Sequence, residues 1–270
     1  MIKKVVTNKK LIFDIGMNIG QDTRQYLNLG FDVIAVEADP ELVRKNKKKF
    51  KNEIKEGRLV IINYGISDKK GILSFYKNLK TSAWSSFNKE SATRNNTPYE
   101  VVQVECILAK DLFQKYGIPY YMKVDIEGYD YLCIEALDKE MGLPKYVSSE
   151  ASSIKILEML YAKGYKWFKI INQANGFKPM NKNEKNKLFP YYLHIKNGLL
   201  LRFQKFFPVK YPYSSTGPFG ENTKGNWLTY EEVTFKYYEF YGADEKQRLN
   251  NISWFDFHAK LEGESEVIYK

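Results

Sequence analysis

The sequence predicts an α/β fold of the doubly wound, Rossmann-like type, followed by an extension of different character. Apolar runs of strand length alternate with segments of helical length over roughly the first two thirds of the chain, which is the pattern of repeated βαβ units. Glycines or acidic residues follow several of these runs, as they do at the ligand-binding edge of an open parallel sheet. From about Asn172 the alternation stops and aromatic segments take its place.

The bounds of the predicted elements follow from apolar periodicity and from residues that begin or end helices. Pro40 opens a helix at a position where its missing N–H costs nothing, and Gly30 and Gly164 stand where helices are expected to end. Strands are predicted at residues 10–15, 33–37, 59–64, 120–125, 145–149 and 166–171. Helices are predicted at residues 21–29, 40–50, 109–116, 129–137 and 154–163.

The turn after the first strand has the layout of a nucleoside-binding βαβ unit. Its glycines allow the backbone to approach a ligand closely, and Glu37 ends the second strand, where an acid binds the ribose hydroxyls. The polar and glycine positions of this turn and of the helix that follows are Asp14, Gly16, Asn18, Gly20 and Thr23.

Asp14 narrows the class of nucleoside. A carboxylate at the first strand tip would repel the pyrophosphate of a dinucleotide, and the third glycine of the dinucleotide motif is missing. A ligand with an ammonium group and no phosphate suits this position. S-adenosylmethionine meets that requirement, with its amino group near Asp14, its ribose at Glu37 and its adenine at the tip of the next strand.

An insertion, residues 71–107, separates the third and fourth predicted strands of the main sheet. Alternation predicts two further strands in it, at residues 73–76 and 101–107. The segment between them, residues 81–98, is polar and loop-like. Because it is close in sequence to the expected adenine position, we expect it to close over the bound donor.

Four segments with glycine or acidic residues occur in order along the chain. They are Asp14-Ile-Gly-Met-Asn-Ile-Gly20, Gly65-Ile-Ser-Asp68, Lys123-Val-Asp-Ile-Glu-Gly128 and Ser149-Glu150. Over roughly residues 10–170 they resemble, in order and spacing, the successive motifs of the FkbM-type methyltransferases. The resemblance implies a class I methyltransferase fold, S-adenosylmethionine as the methyl donor and, usually, a hydroxyl acceptor on a sugar or sugar-containing metabolite. The donor site predicted from the turn and the resemblance comprises Asp14, Gly16, Asn18, Gly20, Thr23, Glu37, Ala38, Ser67 and Asp68.

A sugar hydroxyl is a poor nucleophile at neutral pH, so a general base is expected beside the donor. Asp125, Glu127 and Glu150 end two strands and are the first candidates, either as a base or as ligands of a divalent cation. The alternative is that Asp125 orients the donor while Glu127 pairs with Lys123 or a helix N-terminus. The sequence leaves metal dependence open.

His258 is a second candidate for the base, because histidine titrates near neutral pH. Asp256 would fix its tautomer and Trp254 would stack on a sugar ring. The competing interpretation is an ordinary packed histidine, and the other histidine, His194, lies in an aromatic run that looks like a strand core.

A third group of candidates is the glycine-rich turn Ser214–Gly220, with three polar residues that follow it. Small hydroxyls, amides and a lysine suit a phosphate or a sugar, whereas a plain surface turn would have the same composition. The three polar residues are Asn222, Lys224 and Asn226.

Composition limits the classes of protein. The net charge is +10 and 44% of residues are hydrophobic, which favours a packed core. No apolar run is long enough to span a membrane, and the basic start lacks the apolar segment of a signal peptide. We expect a cytoplasmic protein with Cys106 and Cys133 reduced. The basic run 44–51 is interpreted as a solvated helix face, so a nucleic-acid partner is not expected.

The full expectation is a class I methyltransferase (Rossmann-like) doubly wound sheet with a C-terminal substrate-cap extension. Residues 1–175 form the donor-binding domain and residues 176–270 the cap. The expected activity is S-adenosylmethionine-dependent O-methylation of a sugar, nucleotide-activated or phosphorylated, in the biosynthesis of a capsule or O-antigen type polysaccharide. The oligomeric state is not predicted.

Three alternatives stay open beside it. They are methyl transfer to another small metabolite, methyl transfer to an RNA ribose, and NAD-dependent sugar modification. The NAD alternative needs a Tyr-x-x-x-Lys pair, and the segment at Tyr161 lacks that spacing. The RNA alternative needs a Lys-Asp-Lys-Glu set, which is not assembled in the sequence.

Overall fold

A computed structural model describes residues 8–185, 189–204, 211, 215–242 and 254–262. The chain divides into two compact units, Met1–Lys145 and Tyr146–Lys270. Each unit contains β-sheet and helices, and the predicted α/β class is confirmed. Among the described helices, none is long and apolar enough to cross a membrane.

The first unit follows the predicted alternation of strands and helices closely. All the strands and helices predicted before residue 140 are present, with bounds that differ by a few residues. Its strands are β1 (Asn8–Ile15), β2 (Asp32–Val36), β3 (Leu59–Ile62), β4 (Gly65–Ile66), β5 (Gly71–Asn78), β6 (Tyr99–Ile107) and β7 (Pro119–Val124). Its helices are α1 (Gln21–Asn28), α2 (Pro40–Lys49), α3 (Lys51–Lys55), α4 (Lys89–Ala92), α5 (Ala109–Tyr116) and α6 (Asp130–Glu135).

The main sheet of this unit is parallel, with strands in the order β7–β1–β2–β3. Every residue of β7 is buried, as expected for a parallel strand covered on both faces. The chain runs outward from β1 to β2 and β3 and then returns to β7 on the other side of β1. In open α/β sheets, ligands bind at the carboxyl edge beside such a reversal of strand order. The residues after β1 and β7 therefore define the expected site.

The insertion forms a separate small sheet rather than extending the main one. Its strand order is β4–β6–β5, with β5 and β6 antiparallel over their whole lengths. The Phe75 and Phe87 rings lie 4.9 Å apart and anchor the following segment to this sheet. The two predicted strands of the insertion are confirmed, and the pairing of Gly65 with Cys106 adds the third.

The second unit carries the rest of the alternation and most of the extension. The strands predicted at 145–149 and 166–171 and the helix predicted at 154–163 are present. Its strands are β8 (Tyr146–Glu150), β9 (Trp167–Asn172), β10 (Lys178–Pro179) and β11 (Phe255–Lys260). Its helices are α7 (Ile154–Ala162), α8 (Phe189–Gln204) and α9 (Tyr230–Tyr241).

Strand β11 comes from the far end of the chain and pairs with both β8 and β9, antiparallel to each. One face of these strands packs on α9, where the Phe240 and Phe255 rings lie 5.0 Å apart. The extension thus supplies a strand of this unit's sheet in addition to any part in substrate binding.

Residues 189–204, interpreted from the sequence as containing a strand core around His194, form helix α8 instead. That interpretation was wrong. It followed the strand preference of the aromatic residues, whereas the segment is long enough for a helix and forms one. Helix α9 had a readable start signal. Thr229 accepts from the Glu232 N–H at 3.3 Å, and Glu232 accepts from the Thr229 N–H at 2.8 Å, which is a capping box.

Candidate functional site

The turn after β1 requires glycine for two reasons. Gly16 has φ +85°, and a Cβ there would lie 1.9 Å from the carbonyl oxygen of Asp125. The Gly16 and Met17 N–H groups both donate to the Val36 carbonyl at 3.0 Å. The turn is therefore held between the ends of β2 and β7, with its backbone at the carboxyl edge of the sheet. Asn18 and Gly20 also have positive φ, +49° and +75°.

Glu37 directly follows β2 and ties the turn to that strand. One carboxylate oxygen accepts the Asn18 N–H at 2.7 Å and the other accepts the Asp39 N–H at 2.9 Å. Burial raises the pKa of Glu37 to about 7, although these hydrogen bonds oppose the shift. The Asn63 amide donates to the Glu37 and Ala38 carbonyls, each at 3.0 Å, and so fixes the backbone beside the acid.

Asp14 is fully buried and faces the protein's own groups. The Thr23 hydroxyl donates to Asp14 Oδ2 at 2.5 Å, and Lys123 Nζ lies 3.4 Å from Asp14 Oδ1. The sequence assigned Asp14 to the donor's amino group. The structure shows a lysine ammonium and the Thr23 hydroxyl beside its carboxylate, and the assignment to the donor's amino group stays a prediction.

Lys123, which the sequence analysis considered only as a partner of Glu127, has a different role in the structure. It lies in β7, and its Nζ donates to the Gly16 carbonyl at 2.7 Å. Asp125 Oδ2 is 3.5 Å away and Asp22 Oδ2 is 4.0 Å away. Burial lowers the pKa of Lys123, but Asp14, Asp125 and Asp22 outweigh that effect and hold it above its ordinary value. A lysine at an inward position of an apolar strand was the only signal available.

Asp125 and Glu127 follow β7 and have different partners. The Asp125 side chain is 48% exposed beside Lys123, so it is accessible to a ligand at this edge. Glu127 has φ +47°, which is uncommon for a residue with a side chain, and its carboxylate forms an ion pair with Arg94. The predicted alternative partner of Glu127, Lys123, instead bonds Gly16 and the buried acids.

The segment 81–98 contacts both sides of this edge. Ser82 donates to the Asn18 side chain at 2.7 Å, and Ser86 donates to the Glu127 carbonyl at 2.8 Å. Arg94 packs over the Trp84 ring at 4.8 Å. The insertion thus bridges the glycine-rich turn and the chain after β7.

Ser67 and Asp68 follow strand β4. The Ser67 hydroxyl donates to Asp68 Oδ1 at 3.0 Å, and the Ser67 N–H donates to the Ile107 carbonyl at 3.1 Å. Ser67 is buried while Asp68 is exposed. Asp68 is therefore the accessible member of this pair.

Glu150 and His258 belong to the second unit. Glu150 ends β8 and is half-buried, in register with Asp256 of β11. The Asp256 carboxylate accepts a hydrogen bond from the Gln173 amide. This acid was expected to orient His258, two residues further along the chain. Trp254, which precedes β11, is 42% exposed.

His258 lies inside β11, opposite Ser148 on one neighbouring strand and Lys169 on the other. It is 1% exposed and its Nε2 has no hydrogen-bond partner within the described residues. Burial, reinforced by the charge of Lys169, lowers the pKa of His258 to about 3. Because a general base works best with a pKa near the working pH, this environment is unfavourable for that role.

The turn at 214–220 divides into covered and exposed parts. Ser214 lies outside the described residues, whereas residues 215–220 are buried. A Cβ on Gly217 would lie 2.3 Å from the Phe177 ring, so this stretch packs tightly on its own unit. The exposed polar residues after it are Asn222, Lys224 and Asn226.

The acids after β7 have cationic partners within their own unit. Glu127 is engaged by Arg94 and Asp125 lies beside Lys123. Within the described residues there is no group of three or more His, Cys, Asp or Glu side chains that could hold a metal ion.

The residues at the edge fit S-adenosylmethionine. The tight approach of Gly16 to the chain after β7 leaves no room for a side chain at this point of the turn. Glu37 stands at the end of the second strand, where a carboxylate would bind the ribose hydroxyls. Asp125 is an exposed carboxylate on the other side of the turn, where an ammonium group would find a partner.

Comparison with known proteins places the chain in a family. Residues 14–178, more than half of the chain, match the family described as the methyltransferase FkbM domain. A search of curated proteins finds no match.

Solved structures that resemble the chain include several methyltransferases. The FkbM methyltransferase of Methylobacillus flagellatus KT is 13% identical with a TM-score of 0.37, over 54% of this chain and 34% of that one. The chain thus spans about a third of that protein. The precorrin-6y C5,15-methyltransferase of Geobacter metallireducens GS-15 is 9% identical with a TM-score of 0.40, over 95% and 82% of the two chains. A TehB-like methyltransferase of Corynebacterium glutamicum is 11% identical with a TM-score of 0.35, over 66% and 76%. On the family match and the site geometry together, the chain belongs to the FkbM methyltransferase family.

Proposed function

We propose that the protein transfers a methyl group from S-adenosylmethionine to a hydroxyl of a sugar, in nucleotide-activated or phosphorylated form. The observation that carries the proposal is the pairing of the glycine turn with Glu37 at the switch point of the parallel sheet. Glu37 holds the Asn18 N–H at 2.7 Å, so the ribose acid and the turn form one rigid unit. Family membership supports the methyl donor.

The protein's task on the donor side is binding and alignment. When bound, S-adenosylmethionine supplies a methyl group that is already activated by its sulfonium. Glu37 binds the ribose hydroxyls, and Lys123 holds the Gly16 carbonyl and so fixes the turn. Asp125 binds the ammonium group or the acceptor hydroxyl from its exposed position. Positioning of this kind accounts for a large share of catalysis when the leaving group is already good.

On the acceptor side, Asp125 is the proposed hydrogen-bond acceptor for the hydroxyl proton. It is exposed at the sheet edge, whereas Glu127 is paired with Arg94. Glu150 remains a candidate from the second unit. His258 stays a prediction, with the physical argument against it that burial and Lys169 keep its pKa at about 3.

The division of labour predicted from the sequence is part of the proposal. Residues 1–175 bind the donor and residues 176–270 contribute to selection of the acceptor, in a biosynthetic route to a cell-surface polysaccharide. The proposed compartment is the cytoplasm, because the donor and activated sugars are metabolites of that compartment. Deleting the extension would not test its proposed role in acceptor selection, because the deletion would also remove β11 from the sheet of its unit. Trp254→Ala changes an exposed side chain of the extension and is the appropriate variant.

The experiment is a screen of the purified protein with S-adenosylmethionine against nucleotide sugars, sugar phosphates and neutral sugars. Release of S-adenosylhomocysteine and a mass increase of one methyl group on the sugar are the readouts. If Asp125 accepts the hydroxyl proton, Asp125→Asn is expected to lower turnover by about 10²–10⁴-fold, the range typical of a lost general base, with S-adenosylhomocysteine affinity unchanged. A loss of S-adenosylhomocysteine affinity in this variant would assign Asp125 to the ammonium group instead. If the protein binds the donor but methylates none of these sugars, the acceptor assignment is refuted and the donor assignment is not affected.

A further inference from the structure

Arg94 and Trp84 form a half-exposed pair in the insertion, and neither residue was among those predicted to bind the donor. The Arg94 guanidinium lies 4.8 Å from the centre of the Trp84 ring, and 39% of the Arg94 side chain is exposed. A guanidinium that lies over an indole face is attracted by the ring, which limits the positions that the cation takes. The exposed insertion therefore presents an oriented cation rather than a freely moving one.

Glu127 anchors this guanidinium from one side only. Its carboxylate pairs with Nη2 of Arg94, while the Arg94 Nε–H is buried and has no acceptor within the described residues. Arginine has five N–H donors in a planar fork that matches carboxylate and phosphate oxygens. The pair with Glu127 thus leaves donor capacity on Arg94 that the described chain does not satisfy.

The backbone around the pair is held in unusual conformations. Glu127 has φ +47°, and the two residues after Arg94, Asn95 and Asn96, have φ +58° and +53°. Such conformations cost energy and are concentrated at functional sites. The residues on both sides of the Arg94–Glu127 ion pair thus have backbone conformations of this kind.

The pair also lies beside the sheet edge of its own unit. Ser86 donates to the Glu127 carbonyl at 2.8 Å, and Ser82 donates to the Asn18 side chain at 2.7 Å. The segment that carries Arg94 and Trp84 therefore contacts both the glycine turn and the chain after Asp125. A molecule whose hydroxyl reaches Asp125 would extend toward this segment.

We propose that Arg94 and Trp84 form the subsite that binds an oxyanion of the acceptor sugar, a phosphate or a carboxylate, with the indole against the apolar face of the ring. Glu127 is a positioning residue, which orients the guanidinium. This inference rests on the proposed function for its place in the reaction, but the subsite is defined by anion binding and is testable without turnover.

The direct test is titration of the S-adenosylhomocysteine-loaded protein with glucose 1-phosphate, glucuronate and methyl glucoside, followed by tryptophan fluorescence. The chain has four tryptophans, so Trp84→Phe identifies the part of the signal that comes from the subsite. We expect saturable binding of at least one anionic sugar. The neutral glucoside should bind at least about tenfold more weakly than that sugar, because it cannot form the charge-assisted hydrogen bond. The phosphate and carboxylate arms tell the two oxyanions apart.

Arg94→Gln is expected to weaken anionic-sugar binding at least tenfold and to leave S-adenosylhomocysteine affinity unchanged, which also reports that the variant is folded. Arg94→Lys keeps the charge but loses the fork, and an intermediate loss is expected. Lys89→Gln is the matched control, since Lys89 is another cation of the insertion that lies over a ring, 5.5 Å from the centre of Tyr99, and it should bind as wild type does.

Equal affinity of wild type and Arg94→Gln for the anionic sugars, or no anion binding by the wild type, would overturn the subsite. Anion binding that depends on Arg94 in a protein that methylates no sugar would leave the subsite standing and refute the proposed function instead. The two failures are thereby distinguished.

Discussion

Lys123 Nζ lies 3.4 Å from Asp14 Oδ1, and both side chains are almost completely buried. The same ammonium donates to the Gly16 carbonyl at 2.7 Å. The two residues come from neighbouring parallel strands, β1 and β7, where they are directly paired in register. A buried ion pair therefore fixes the turn on which the proposed donor site depends.

Lys123→Met is expected to destabilise the protein by about 3–5 kcal/mol, because it leaves Asp14 buried without its partner. Urea unfolding measures the change. The matched control is Lys45→Met, which removes an exposed ion pair with Glu41 of 2.8 Å and should change the free energy of unfolding far less, because solvent screens the pair. In the double variant Asp14→Asn with Lys123→Met, part of the loss should be recovered. Purely additive effects of the two substitutions would show that the pair is not coupled.

Gly16→Ala is expected to abolish measurable donor binding or to prevent folding. The new Cβ would fall 1.9 Å from the Asp125 carbonyl oxygen, at φ +85°. Gly30→Ala separates the two causes, because Gly30 has nearly the same φ, +87°, with nothing within 4 Å of the added carbon. That variant should lose only about 1–2 kcal/mol from backbone conformation and keep its affinity for S-adenosylhomocysteine. Equal behaviour of the two variants would show that the close approach to Asp125 has no consequence.

Much of this fold could be predicted because its signals are local. The apolar runs that became β1, β2 and β7 are short, continuous and followed by glycine or acid, so both their type and their functional edge were readable. The insertion strands β5 and β6 alternate cleanly. The position of Glu37 after β2 needed only the spacing of the βαβ unit.

What could not be predicted depends on contacts between distant parts of the chain. Nothing local to residues 255–260 indicates that β11 pairs with both β8 and β9. The roles of Lys123 and Arg94 were missed for the same reason, since their partners Asp14 and Glu127 become neighbours only when the sheet and the insertion are assembled. His258 was singled out for its residue type, and its burial beside Lys169 followed from strand pairing.

Donor affinity is expected to depend on pH through Glu37. Burial raises the pKa of this carboxyl to about 7, and the ionised form is the better acceptor for ribose hydroxyls. S-adenosylhomocysteine should therefore bind more tightly as pH rises from 6 to 8, with a limiting slope of about tenfold per pH unit below the pKa. Calorimetry at several pH values measures this. Glu37→Gln should bind more weakly and show no such slope, and a sloping profile in that variant would assign the effect to another group.

Stability should fall in acid partly because of His258. Its pKa is about 3 in the folded protein against an ordinary value of 6.5, so the unfolded chain takes up a proton below pH 6.5 that the folded protein refuses. Stability from this group is complete above pH 6.5 and is lost as pH falls toward 3, by at most about 1.4 kcal/mol per pH unit. The charged groups on the same strand face are Lys169, Asp256, Lys260 and Glu150.

The check is urea unfolding of wild type and His258→Gln between pH 7.5 and pH 4.5. The difference in unfolding free energy between the two proteins should shift in favour of the variant as pH falls. His194→Gln, a substitution of the other histidine in the sequence, is the control for replacing a histidine with glutamine. If the difference in unfolding free energy between wild type and His258→Gln does not change with pH, His258 takes up a proton in the folded protein as readily as in the unfolded chain. That result would remove the argument against His258 as a base.

The central claim is tested most directly by titration calorimetry of the wild-type protein with S-adenosylhomocysteine and, separately, with NAD⁺. The account predicts one S-adenosylhomocysteine bound per chain with a dissociation constant of about 1–100 μM, weakened by about 1–3 kcal/mol in Glu37→Ala, and no binding of NAD⁺. Binding of NAD⁺ without binding of S-adenosylhomocysteine would contradict it.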